Sequence, residues 1–225
     1  MNASAGLSLW LRWVGANALA ELVGLGATFI IDYLIISKIA GQGMPGSVAS
    51  ILLVAASGAI EGGVVGILQW SVLRRPFPSI TRRAWVLATI IGAVVAWFFG
   101  SLPSTLIDMG AQQSGTEVQE PSTALVLLLA AGMGIVLGVV LAYPQWRVLR
   151  RVVTHAWWWI PANSAAWAFG MAIIFAAMDL AFSQPSPVGS AVVIAGALLL
   201  AGAAVGAVHG LALVRLATET RISDH

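Results

Sequence analysis

The chain has 225 residues, of which 59% are hydrophobic and 9% charged, with a formal net charge of +2 and no cysteine. A water-soluble domain carries about a quarter charged residues, so the composition excludes an ordinary soluble domain, and the missing thiols exclude disulfides and thiolate metal sites. Uncharged runs such as Arg83 to Asp108 and Glu120 to Arg147 are long enough for a helix crossing a hydrocarbon core of roughly 30 Å, whereas the alternation of a barrel strand is absent.

The first predicted span covers residues 9–36. Arg12 is the one basic residue at its start, and the apolar run exceeds a signal-peptide core of about 7–15 residues, so it reads as a permanent helix. At 100° per residue, Asn17, Glu21, Gly24, Thr28 and Asp32 share an arc of about 80°. Such a stripe should face the interior of a bundle. Breaks at Gly, Pro, Ser and charge clusters place the remaining spans at 49–73, 84–107, 123–147, 157–181 and 189–214.

Lys and Arg accumulate in cytoplasmic loops. With the N-terminus inside, that face collects Arg12, Arg74, Arg75, Arg82, Arg83, Arg147, Arg150, Arg151, Arg215 and Arg221, and only Lys38 falls on the other. Asp108, Glu117 and Glu120 lie in the outer loops. The expected location is the plasma (inner) membrane, multi-pass, with both termini cytoplasmic. Tryptophans 10, 13, 70, 85, 146, 157, 158 and 159 fall at the inner boundary, where amphipathic rings favour the headgroup level. Trp13, Trp70, Arg74, Arg75, Trp85, Trp146, Arg150, Arg151 and Trp159 are therefore read as lipid-interface anchors. Anionic headgroups are the expected partner of the basic face; nucleic acid is not.

The phrase GILQWSVLRR at 66–75 returns as YPQWRVLRR at 143–151. Aligning the two pairs Gln69 with Gln145, Trp70 with Trp146, Leu73 with Leu149 and Arg74 with Arg150. Upstream, Gly62 and Gly66 match Gly138 and Ala142, and span six continues with Gly202, Gly206, His209 and Gly210. The odd spans repeat through RWVGANALAELVG, AWVLATIIGAVVA and WWIPANSAAWAFG. The predicted fold is an all-α integral membrane domain over residues 1–225, built as three two-helix hairpins (approximately 9–75, 82–151 and 157–216) about a pseudo-threefold axis along the membrane normal. The GxxxGxxQWxxLRR phrase resembles uncharacterised small multi-pass membrane proteins of bacteria, a resemblance that implies no function. Mitochondrial carriers share a three-hairpin plan, but their Pro-x-acid-x-x-base signature is missing here.

Ionisable groups at the centre of a bilayer cost roughly 2.5–3.5 kcal/mol on insertion scales. Glu21 and Glu61 fall at similar depth on antiparallel helices, within roughly 6 Å, with no Lys or Arg at that level. With Thr28 and Asp32 they are the pathway or proton-binding candidates. Asn17 and Ser57 are the neighbours expected to hydrogen-bond the two glutamates if their role is structural. Nearer the cytoplasm, Asn17, Gln69, Thr89, Gln145, Asn163 and His209 form a predicted inner polar ring. Gln69 and His209 lie roughly 12 Å of rise from Glu61, too far to share a metal, and His155 reads as a solvated side chain. No metal, cofactor or catalytic residue is expected, since phosphate loops, zinc-binding helices and nucleophile elbows are all missing. The reading is a small transporter or channel-like protein with an intramembrane carboxylate pair; the alternative is a non-catalytic accessory or assembly subunit beside a partner membrane protein.

Overall fold

The computed structural model describes residues 3–39, 43–114 and 121–223; Glu117 and Glu120 lie outside them. Span 1 comprises an α-helix over Ala3–Ala20, a π-helical turn over Glu21–Leu25 and a second α-helix over Gly26–Ile39. Spans 2 to 6 are the helices Gly43–Leu73, Arg82–Ser114, Thr123–Leu149, Trp159–Phe182 and Pro187–Ser223, with a 3-10 turn over Ala156–Trp158 leading into span 5. All six are long and apolar enough to cross a membrane. Leu7, Ile30, Leu52, Ile91, Leu128, Val136, Leu200 and Leu211 are exposed on the outside of the bundle, as expected of a surface that meets lipid rather than water.

Each span packs against its neighbours in the chain, and the sixth packs against the first, so the bundle is a ring in chain order. Glycine sets the closest approaches. A methyl group at Gly62 would lie 2.7 Å from the Ile90 Cα, and one at Gly66 would lie 2.9 Å from the Val86 Cα, so spans 2 and 3 touch backbone to backbone. Gly134 and Gly138 do the same between spans 4 and 5, against Trp167, Asn163 and Ser164. Gly202 and Gly206 do so between spans 6 and 1, against Asn17, Ala18 and Val14. Small residues let helices approach where no hydrophobic force drives them together.

The arginine-bearing end is closed by an apolar plug that includes Leu9, Leu73, Phe77, Ile80, Leu149, Leu213 and Leu216. Trp13, Trp85 and Trp159 belong to it, each with no exposed surface. They are not lipid-interface anchors, which corrects the assignment made from depth alone. Their rings meet edge to face, Trp159 standing 5.9 Å from Trp13 and 6.0 Å from Trp85 between centroids. Aromatic pairs favour that arrangement because a positive ring edge meets a negative face. Trp70 and Trp146 are half-buried, and Arg74, Arg75, Arg150 and Arg151 are exposed at the rim. Arg74 and Arg150 lie over their own tryptophans at 5.3 and 4.9 Å, and Arg215 lies over Trp158 at 4.8 Å. His155 is not merely solvated: its ring approaches Glu219 at 3.0 Å, and Glu219 also accepts from Arg215 at 2.9 Å.

Candidate functional site: a buried polar column

Polar side chains form a column inside the ring. Asn17, Glu21, Thr28 and Asp32 of span 1 are all buried, as are Ser57, Glu61 and Gln69 of span 2. A π turn interrupts the span 1 set. The turn falls between Glu21 and Thr28, where the α-helix widens over Glu21–Leu25. Sequence periodicity treats the span as one regular helix, so this turn is a finding of the structure.

At the end away from the arginines, Ser57 donates to Asp32 at 2.5 Å, while Thr28 donates to the Ser57 carbonyl at 3.4 Å. The middle of the column holds both glutamates. Gly24 brings span 1 against the Glu61 backbone, where an added Cβ would lie 3.2 Å from the Glu61 Cα. Glu61 accepts a hydrogen bond from the Trp97 indole at 2.5 Å. Neither Asn17 nor Ser57 bonds a glutamate: Asn17 turns to the Trp13 carbonyl and Gln69, and Ser57 to Asp32 and the Val54 carbonyl. The Glu21 Oε2 and Asp32 Oδ2 atoms are buried without a hydrogen-bond partner.

Below the glutamates the six polar-ring residues are brought together. Trp13 donates to His209 Nδ1 at 2.8 Å, Trp85 to Gln69 at 3.2 Å and Trp159 to Gln145 at 2.9 Å. An indole N–H only donates, so His209 Nδ1 carries no proton and its imidazole is the neutral Nε2–H tautomer. Gln69 also donates to Asn17 at 2.9 Å, and Gln145 donates to Thr89 at 3.0 Å and Gln69 at 3.2 Å. Asn17, Thr89 and Asn163 each return a bond to the carbonyl four residues earlier, on Trp13, Trp85 and Trp159. Every even span thus supplies an acceptor to a tryptophan on an odd one.

A cavity of about 20 Å³ lies between the two levels, with Glu21, Glu61, Asn17, Gln69, Gln145 and His209 among its lining residues. That is room for about one water molecule. Among the described residues no three His, Asp or Glu side chains are placed to hold a metal ion. Depth-based reading missed Trp97, which binds Glu61, and Trp167, which lines the cavity. The signal was their position: they are the two tryptophans far from the arginine end.

Gln69 is the node of this network, and its replacement by leucine leaves Trp85, Asn17 and Gln145 each short of a partner. A buried group left unpaired costs about 1–3 kcal/mol. Gln69→Leu is expected to lower the thermal midpoint in detergent clearly, against no change for Ser71→Ala on the exposed face of the same turn. Equal midpoints would show that the network adds nothing to stability. No family model, curated protein or solved structure matches the chain.

Proposed function

We propose that the protein is a small transporter or channel-like protein of the inner membrane, moving a proton or small cation along the polar column. The observation that carries this reading is the placement of Glu21 and Glu61 on one water-sized cavity, with an unpartnered Glu21 oxygen and no Lys or Arg lining it. Acids at depth in a bundle are costly and mark ion and proton paths by default. The arginine end faces the cytoplasm, carrying both termini, and its stacked Arg74, Arg150 and Arg215 meet anionic headgroups.

A pseudo-threefold arrangement of three hairpins accompanies this proposal. Its support is the recurrence of one bond in three places, from Trp13, Trp85 and Trp159 to His209, Gln69 and Gln145, together with three glycine-faced helix pairs. Against that background Glu21 and Glu61 stand out as departures: the positions aligned with Glu21 hold Ala93 and Trp167, and those aligned with Glu61 hold Leu137 and Ala201. Repetition accounts for the scaffold and leaves the acids to function.

The test is flux in proteoliposomes holding a pH-sensitive or cation-sensitive dye. Glu21→Gln and Glu61→Gln are each expected to lower the rate at least tenfold, with correct folding checked by size exclusion. Wild-type flux no greater than that of empty vesicles would sink the transport reading. The second reading, an accessory subunit, draws on the apolar plug that seals the arginine end. It predicts co-purification with a partner in mild detergent and tolerance of both substitutions.

A further inference from the structure

Resting on that reading, we infer that the Glu21–Glu61 site binds a proton and no metal cation, so the transported or coupled species is the proton. The site is more than a pair of acids. Glu21 is 2% exposed, yet its Oε2 has no donor while the side chain lines the cavity. An isolated carboxylate removed from water is costly unless it is paired, coordinated or neutralised. Lys and Arg are missing from the lining, so the compensating species comes from outside the chain.

Counting lone pairs separates the candidates. A hard cation gathers six or more oxygen ligands, or keeps several of its waters. Here every lining amide or hydroxyl oxygen except that of Asn163 already accepts at least one bond, and that of Gln69 accepts two. Asn17 accepts from Gln69, Gln69 from Trp85 and Gln145, Thr89 from Gln145, and Gln145 from Trp159. The Trp97 N–H occupies one side of Glu61, and a donor there faces a metal ion with the wrong end of its dipole. His209 turns its one basic nitrogen to Trp13. A volume of about 20 Å³ is room for about one water.

A proton needs none of these ligands. It forms one O–H bond on a glutamate, removes one charge, and reaches the site through a single water. The titratable groups facing the cavity are Glu21 from span 1, Glu61 from span 2 and His209 from span 6; the side chains from spans 3, 4 and 5 include Thr89, Gln145, Asn163 and Trp167, none of which ionises. Asp32 lies further along the column with Ser57.

Infrared spectroscopy of the purified full chain tests the assignment. A protonated-carboxyl band is expected that shifts in D₂O, weakens in Glu21→Gln and in Glu61→Gln, and stays unchanged when Na⁺, K⁺ or Ca²⁺ replaces choline at fixed pH. Loss of the band on adding any of those metals overturns the proposal, as does its absence from the wild type. A second measurement needs no variant, because a ligand that binds only the folded state raises the thermal midpoint. No metal is expected to raise it beyond a choline control of equal ionic strength; a specific rise of several degrees overturns the proposal. Failure of the flux assay with an unaltered band would remove transport and leave the proton site standing. A metal-sensitive band would remove the proton assignment and leave transport.

Discussion

Truncating Trp159 to alanine is expected to destabilise the protein by about 3–5 kcal/mol, the range for emptying the space of a large buried aromatic side chain. Trp159 has no exposed surface and stands between Trp13 and Trp85, with the His209 ring 5.3 Å away. Truncation also leaves Gln145 Oε1 without its indole donor. Trp157, two residues earlier, is 50% exposed, and Trp157→Ala should stay within about 0.5 kcal/mol of wild type. Trp159→Phe separates volume from bonding: it keeps most of the ring and loses the N–H, which is worth about 0.6 kcal/mol on average between membrane helices. Unfolding in mixed micelles of rising SDS content measures all three. If Trp157→Ala and Trp159→Ala cost the same, the tryptophan trio is not the centre of the plug.

The second large effect is expected at Gly138. A Cβ there would stand 2.6 Å from the Asn163 carbonyl oxygen and 2.7 Å from the Ser164 Cα. Both neighbours are backbone, so no side chain can swing aside and spans 4 and 5 must separate. Overpacking of this kind costs about 1–3 kcal/mol and sometimes more. The separation also draws Gln145 away from Trp159, since Gln145 lies about two turns beyond Gly138 and Trp159 about one turn before Asn163 on the same two spans. Gly138→Val should therefore lower the thermal midpoint and, on the transport proposal, the flux. Gly132→Val on the same helix has nothing within 4 Å of the added carbon and should alter neither. A wild-type midpoint for Gly138→Val would mean that spans 4 and 5 are not in backbone contact.

The six spans were legible because a bilayer imposes length and apolarity on any helix that crosses it, and the residues between spans are polar or helix-breaking. The polar stripe was legible for a similar reason, since Asn17, Glu21, Thr28 and Asp32 follow a helical period in an otherwise apolar run. The tryptophans were harder. Depth along a span places Trp13 and Trp70 at one level, but does not say which way around the helix each ring points. A clue was present, because Asn17, Thr89 and Asn163 follow Trp13, Trp85 and Trp159 by four residues, and residues four apart share a helix face. If the amides point inward, so do those rings. Of the consecutive rings Trp157, Trp158 and Trp159, that rule selects the last, which is the buried one. The π turn left no comparable mark, and the position of Trp97 far from the arginine end singles it out without naming Glu61 as its partner, since both depend on how span 1 and span 3 settle against span 2.

The ring order has a consequence for biosynthesis. Chains are made from the N-terminus onward, so span 1 enters the bilayer long before span 6 has been translated. Yet span 6 is the helix whose Gly202 and Gly206 lie against Asn17, Ala18 and Val14, and whose His209 receives the Trp13 indole. Throughout synthesis of the intervening spans, one flank of the most polar helix in the molecule faces lipid or a temporary neighbour. Span 2 can cover Glu21 on one side only. The acids are therefore sealed last, by the final helix to be inserted.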